Sequence, residues 1–289
     1  MDQPTPAAVF AAQAPSAQYL RLLSIAGSDS GGGAGVQADL KTFAALGCFG
    51  MTAITALTAQ NTTGVRAIHA VPLDMLADQI DAVVEDIGVD AVKIGMLHSA
   101  ATIETVAAAI DRHQLPQVVL DPVMVATSGA VLIDPAAVAA LVRLMFPRAL
   151  LVTPNLDEAA MLVGRALHTE ADMADAAQQL LAIGARAVLL KGGHLAGGTV
   201  ADLLLQPGLP PLWMRAARID TPNTHGTGCT LSSAIAARLA LGCDLPQAVQ
   251  QARDFVRGAL AAGASVRTGA GSGPLNHGFA PQPMRLRPL

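Results

Sequence analysis

Apolar and polar residues alternate along this chain with two different periods. Short apolar runs, "RLLSIA", "MTAITAL", "RAIHAV", "AVKIGM", "QVVLD", "ALLVT" and "RAVLLKGG", read as strands. Between them apolar positions recur at helical spacing: a helix to about Gly47, one from Leu73 to Asp86, one from Ala100 to Arg112, one starting near Asn155 and one from Ala171 to Ile183. This alternation predicts a mostly parallel sheet with helices on both faces. "TVADLLLQPGLPPLWMRAARI" carries a Pro/Gly interruption and predicts a hairpin; helices from Thr227 to Leu241 and from Leu245 to about Ala262 follow. Ligands of such folds bind beyond the carboxyl ends of the strands, so polar residues just after strands are the candidates for function.

Composition narrows the choice. With 289 residues and 52% hydrophobic content, the chain can bury the core of one α/β domain. Residues 1–18 read as a mobile tail, 19–280 as the domain and 281–289 as a C-terminal tail. The net charge of -4, with only Lys41, Lys93 and Lys191 as lysines, gives no general attraction to nucleic acid or an anionic membrane. An aromatic content of 3% argues against base-stacking platforms. Cys48, Cys229 and Cys243 form no C-x-x-C pair, and a reducing cytoplasm fits them best. Residues 42–65 carry no charge, but Gly47, Gly50 and "AQN" interrupt them, so a buried strand and a polar loop are expected there rather than a membrane span.

Candidate chemistry gathers at the strand ends. "AGSDSGGGAGVQADLK" follows the first strand and opens a helix, so its backbone N–H groups can face an anion or a polar ligand. Gly33-Ala34-Gly35-Val36-Gln37-Ala38 fits G-x-G-x-x-A, yet no acidic residue lies between Asp39 and Asp74 to hold a ribose, which counts against a dinucleotide site. Asp39, inside that helix, reads either as a solvated carboxylate or as a site residue. Gln60 and Asn61 in "TAQNTTG" are either turn formers or, at Gln60, an amide offering a donor beside an acceptor.

Asp121 ends "VVLD", and "TPNLDE" sets Asn155 and Glu158 one helical turn apart. Oxygen ligands so placed suit a magnesium ion, and the same spacing suits a capping box; the two duties are compatible. Lys191 closes "AVLLKGGH" as an exposed cation or a phosphate contact. In "NTHGTGCTLSS", Gly226, Thr227, Gly228 and Cys229 start a helix whose first N–H groups lack intrahelical partners, an anion hole. That position is expected to lower the pKa of Cys229, unless the cysteine is buried and inert.

At these residues the sequence resembles the hydroxymethylpyrimidine/phosphomethylpyrimidine kinases of thiamine biosynthesis, within the ribokinase-like superfamily. "AGSDSGGGAGVQADLKTFAALG", "ITALTAQNT", "VKIGML", "LDPVM", "TPNLDEA", "LLKGGH" and "NTHGTGCTLSSAIAA" look like family blocks in family order, over about residues 20–280. The resemblance implies a three-layer α/β/α ribokinase-like fold with a central, mostly parallel sheet. It also implies transfer of the γ-phosphoryl of ATP to 4-amino-5-hydroxymethyl-2-methylpyrimidine and then to its monophosphate. Gln60 would hold the pyrimidine, with Asp39, Ala34, Gly27, Met96 and Val123 around the ring. Lys191, Asn155 and Thr227 would contact ATP, and Asp121 and Glu158 would hold Mg²⁺. Cys229 would lie beside the attacking hydroxyl, where sugar kinases of the superfamily carry an aspartate. The family often forms dimers, so a homodimer is expected. Ser30-Gly31 stands where the family often reads Pro-Ser. A pyridoxal kinase of the same subfamily and a catalytically silent pyrimidine-binding protein remain as alternatives.

Overall fold

The computed structural model describes residues 16–125, 132–193, 195 and 197–289. Along the chain run β1 (Ala17–Tyr19), β2 (Arg21–Asp29), α1 (Gly35–Ala45), β3 (Phe49–Asn61), β4 (Gly64–Ala70), α2 (Leu73–Asp86), β5 (Ala91–Ile94), α3 (Ala100–His113) and β6 (Val118–Leu120). After these come α4 (Ala137–Ala140), continued by a π-helical turn (Leu141–Met145), then β7 (Leu151–Val152), α5 (Leu156–Val163), α6 (Glu170–Ala182) and β8 (Val188–Leu190). The antiparallel pair β9 (Thr199–Leu205) and β10 (Leu212–Ala217) precedes α7 (Thr227–Ala240), α8 (Leu245–Gly263) and β11 (Leu286–Pro288).

Nine strands form one sheet in the order β10-β9-β8-β7-β6-β5-β2-β3-β4. The strands from β8 to β3 in that order are mutually parallel, while β4 and the β9/β10 hairpin run antiparallel at the two edges. Period-2 alternation builds two cores. Leu23, Ile25, Val92, Ile94, Val118 and Leu120 face a core covered by α2, α3, α5 and α6, whereas Leu22, Ala91, Val119 and Leu151 face one covered by α1, α7 and α8. The three-layer α/β/α arrangement expected from the sequence is therefore present.

Local signals set several helix starts. Asn155 caps α5 in a capping box with Glu158, so the capping reading of "TPNLDE" holds. Thr169 and Asp172 form a second capping box on α6. Other expectations need correction. Gln60 and Asn61 end β3 rather than forming a loop after it, because the register shifts at Ala59/Gln60 and pairing with β4 continues to Gly64. The hairpin expected before the closing helices is there, but β9 already pairs with β8 of its own chain, leaving β10 as the edge. β1 pairs antiparallel with β11, so the proposed boundary after residue 18 falls inside a strand. Residues 1–15 of the proposed N-terminal tail lie outside the described residues. Among the described residues, no helix is long and apolar enough to cross a membrane.

Candidate active site

The parallel strands β2, β5, β6, β7 and β8 all end at one side of the sheet, and the residues just beyond them border a cavity of about 730 Å³. Its lining divides by chemistry into three groups.

The first group is Gly27, Ala34, Gln60, Met96 and Val123, the residues expected around a ring, together with Asp29, Thr58 and His225. One end of the Gln60 amide lies 3.1 Å from the Thr58 hydroxyl and the other 3.4 Å from His225 Nε2. His225 Nε2 is 2.9 Å from Asp29 Oδ2. The Asp29 carboxylate also accepts the backbone N–H groups of Gly31, Gly33 and Ala34. The glycine loop therefore does not hold those donors out to a ligand anion, as its sequence suggested; the chain's own carboxylate occupies them. Burial opposes that charge, but the hydrogen bonds from His225, Ala34 and Gly31 hold the Asp29 carboxyl below its usual range.

The second group carries charge. Lys191 Nζ donates to Asp121 Oδ1 at 2.8 Å and lies 4.0 Å from Glu158 Oε2. Lys191 is 13% exposed, so it is a sheltered, paired cation rather than an exposed one. Thr153 Oγ1 lies 3.1 Å from the same Asp121 oxygen. Burial and the neighbouring Asp121 raise the Glu158 carboxyl to about 7, although Lys191 pulls the other way. Asn155 and Asp157 also line the cavity.

The start of α7 meets this group. Gly226 has φ +85°, and a Cβ on it would run into the carbonyl oxygen of Gly33. At Gly228 a Cβ would stand 3.2 Å from Lys191 Nζ and 3.4 Å from Asp121 Oδ2, so the missing side chain leaves the helix start open to Lys191 and Asp121. The predicted anion hole, with Gly226, Thr227, Gly228 and Cys229 all lining the cavity, is brought together with Lys191.

The expected lowering of the Cys229 pKa is not found. Burial pushes the thiol up to about 11, with Asp39 and Asp121 adding to the rise, and these outweigh Lys93 and the N–H of Gly35. Cys48 is likewise pushed up to about 11 by burial.

Asp39 is neither a solvated carboxylate nor a lining residue. It is 0% exposed, and its oxygens accept from Lys93 at 2.8 and 2.9 Å, from Ser24 Oγ at 2.5 Å and from Ser233 Oγ at 2.7 Å. Lys93, also 0% exposed, lines the cavity on the other side of this pair. A sequence signal for it existed: Lys93 is the one charge inside the apolar run "AVKIGM". Asp29 and His225, both central here, carried no signal beyond lying in glycine-containing stretches.

The third group is apolar with a basic rim: Val200, Ile219, Val256 and Leu260, with Arg218 and Arg257. Sequence reasoning did not resolve it, because it combines β9, the segment after β10 and α8. Elsewhere, among the described residues, Asp81, Glu85 and His113 could share one ion, but none of them lines the cavity.

Comparison with known proteins agrees with this geometry. The family model described as "Phosphomethylpyrimidine kinase" matches residues 29–276. A Rhizobium meliloti (strain 1021) protein named "Hydroxymethylpyrimidine/phosphomethylpyrimidine kinase" is 52% identical over 88% of this chain and 96% of its own length. The Escherichia coli (strain K12) protein of the same name is 45% identical over 89% and 97%. Among solved structures, a Bacillus subtilis pyridoxal kinase in complex with ADP superposes with TM-score 0.83 at 38% identity, covering 91% of this chain and 98% of that one. A cavity at the strand ends, a lysine beside a helix start and a matching sequence from Asp29 to Asn276 converge on one conclusion: the chain belongs to the phosphomethylpyrimidine kinase family, and it is a phosphotransferase.

Proposed function

We propose that the chain transfers the γ-phosphoryl of ATP to the hydroxymethyl group of 4-amino-5-hydroxymethyl-2-methylpyrimidine and then phosphorylates the resulting monophosphate. The observation that carries this reading is one cavity holding both a ring-sized pocket read by the Gln60 amide and a phosphoryl site made by Lys191 and the start of α7. The names of the relatives support the same substrate.

In this reading Gln60 donates to a ring nitrogen and accepts from the 4-amino group, while Gly27, Ala34, Met96 and Val123 enclose the ring. Phosphoryl transfer of the loose kind needs positioning and charge stabilisation more than a strong base. The N–H groups at Gly226, Gly228 and Cys229 and the Lys191 ammonium supply that stabilisation, while the Thr227 N–H is engaged by the Thr224 carbonyl at 3.2 Å. Cys229, a neutral thiol near pH 7, positions the attacking hydroxyl, whose proton leaves late on a phosphoryl oxygen as the O–P bond forms and the bond to ADP breaks. The apolar group around Val200, Ile219, Val256 and Leu260 takes the adenine, with Lys191, Asn155 and Thr227 toward the phosphates.

The donor set also fits a Mg²⁺ ion. Asp121 and Glu158 are hard oxygen ligands in the cavity, and the elevated Glu158 pKa marks a carboxylate short of positive charge. When bound there, the ion would neutralise phosphate charge, with water and ATP completing its shell.

A homodimer in the cytoplasm, without nucleic-acid or membrane partners, accompanies this reading; the three free cysteines support a reducing compartment. The pyridoxal kinase alternative draws support from the Bacillus subtilis structure. The deciding test is Mg-ATP-dependent ADP release, with product masses, for the aminopyrimidine, its monophosphate and pyridoxal in parallel. Mono- and diphosphorylated pyrimidine are expected; turnover of pyridoxal alone would replace the pyrimidine reading.

A further inference from the structure

The two ends of an amide side chain are told apart only by their hydrogen-bond partners. As placed, Gln60 turns Oε1 toward Thr58 Oγ1 and Nε2 toward His225 Nε2. Both contacts conflict with the surrounding network. The Thr58 hydroxyl has a single hydrogen, and the backbone carbonyl of Ser28, 2.9 Å away, can only accept it. What Thr58 offers Gln60 is therefore a lone pair, which asks for an N–H. On the other side, the Asp29 carboxylate already takes three backbone N–H groups and can only accept from His225 Nε2, 2.9 Å away. Nε2 of His225 must carry the hydrogen and give it to Asp29, so it keeps no lone pair for a Gln60 N–H, and the positive edge of that N–H favours the amide oxygen on this side. The two demands are independent and agree.

We infer that Thr58 and His225 are positioning residues that hold the Gln60 amide with Nε2 on the Thr58 side and Oε1 on the His225 side, and that this orientation sets which way round the substrate ring binds. The inference rests on the pyrimidine reading above only for the identity of the ring. With the amide so held, the free donor lies toward Thr58 and the free acceptor toward His225. An aminopyrimidine then places its ring nitrogen on the Thr58 side and its amino group on the His225 side. The hydroxymethyl group sits on the ring carbon next to the amino-bearing one, away from that nitrogen. It consequently points past His225, where the chain passes directly to Gly226 and the α7 start. The reverse amide would favour the ring turned over, with its hydroxyl directed away from Lys191. Packing supports His225 as a fixed element: a Cβ on Gly33 would clash with its ring, and its backbone N–H donates to the Gly273 carbonyl at 3.1 Å.

Two measurements test this. In the isotope-labelled wild-type protein without substrate, nuclear Overhauser contacts from the Gln60 side-chain NH₂ should reach the Thr58 methyl; contacts to the His225 ring protons, with none to Thr58, would overturn the orientation. In the second, kcat/KM for ADP release is compared between the 4-amino substrate and its 4-oxo analogue, which exchanges donor for acceptor. Thr58→Val and His225→Leu should lower the amino-over-oxo ratio by at least about tenfold, because a fixed hydrogen-bond pattern is what rejects the analogue. Thr58→Ser and His225→Gln, which keep a hydroxyl and an N–H, should restore it. A ratio unchanged in both damaging variants, whatever happens to absolute activity, would reduce the two residues to structural supports and refute the inference. If the wild-type enzyme releases no ADP with either pyrimidine, the substrate reading fails while the amide contacts still decide the orientation.

Discussion

Glu158 holds its proton to about pH 7 because it is buried near Asp121. A raised carboxyl pKa means that the folded chain keeps a proton which the unfolded chain has already lost, so this group's contribution to stability falls as pH rises from the ordinary carboxyl range toward about 7. A bound divalent cation would cancel that penalty. Magnesium is accordingly expected to raise the thermal midpoint more at about pH 8 than at about pH 5.5, and Glu158→Gln to abolish the difference in calorimetry. Cys229 gives a second residue-level expectation. Cys229→Ala should cut kcat far more than it raises KM in steady-state kinetics, since the thiol acts on the attacking hydroxyl rather than on ring binding. That Gln60, Lys191, Asp121 and the Gly226–Cys229 turn would border one cavity was legible in the sequence, because each ends or follows a strand or opens a helix. The charge state of Cys229 was not: it depends on burial beside Asp39 and Asp121, which lie 190 and 108 positions away in the chain.

Among the elements, α7 decides how well the phosphoryl site is made. Its first turn is fixed by Gly226, which takes a left-handed backbone and touches the Gly33 carbonyl through space that only a hydrogen can share. Gly226→Ala must shift the helix start away from Lys191, and a shift of about 1 Å can cost on the order of a hundredfold in rate. A drop of that size in kcat/KM, with the circular dichroism spectrum unchanged, is the expected result. Further along, the ion pair of Asp39 on α1 with Lys93 on β5, joined by Ser24 on β2 and Ser233 on α7, ties four elements together behind the cavity. Asp39→Asn would leave a buried cation without its counter-charge and should cost about 3–5 kcal/mol in urea unfolding. Sequence reading placed the end of α1 and both ends of α2, α3, α6, α7 and α8 within a residue or two, since their apolar periods are long. It misjudged Asp39 because a lone carboxylate on a helix gives no sign of a lysine buried opposite it.

For the whole molecule, the alternation of apolar runs with helical segments was enough to give a three-layer α/β/α body with its site at the carboxyl ends of the strands. Strand order was beyond that pattern. Every strand of a doubly covered sheet reads as the same short apolar run, so nothing local distinguishes β5, which sits beside β2, from β3, which does too. The pairing of β1 with β11 was equally hidden, because it joins segments at opposite ends of the chain, each only three residues long. Arg287 reinforces it with an ion pair to Asp90 at 2.8 Å.

That small ribbon has a consequence for the chain as a connected object. Ala17 stands opposite Pro288, beside the point where β2 enters the sheet and therefore at the end of the parallel strands away from the cavity. The described chain has in effect a single doorway, where residue 16 enters and residue 289 leaves, and the chemistry lies on the far side of it. A short linker could join residue 289 to residue 16, and new ends could be opened at Gly208 in the exposed turn between β9 and β10. Such a circular permutant should fold and keep kcat/KM within about threefold of the original, because permutation is tolerated where neighbouring ends are joined and an exposed turn is cut. The same doorway lets another enzyme be tethered after residue 289 with the substrate cavity still facing solvent.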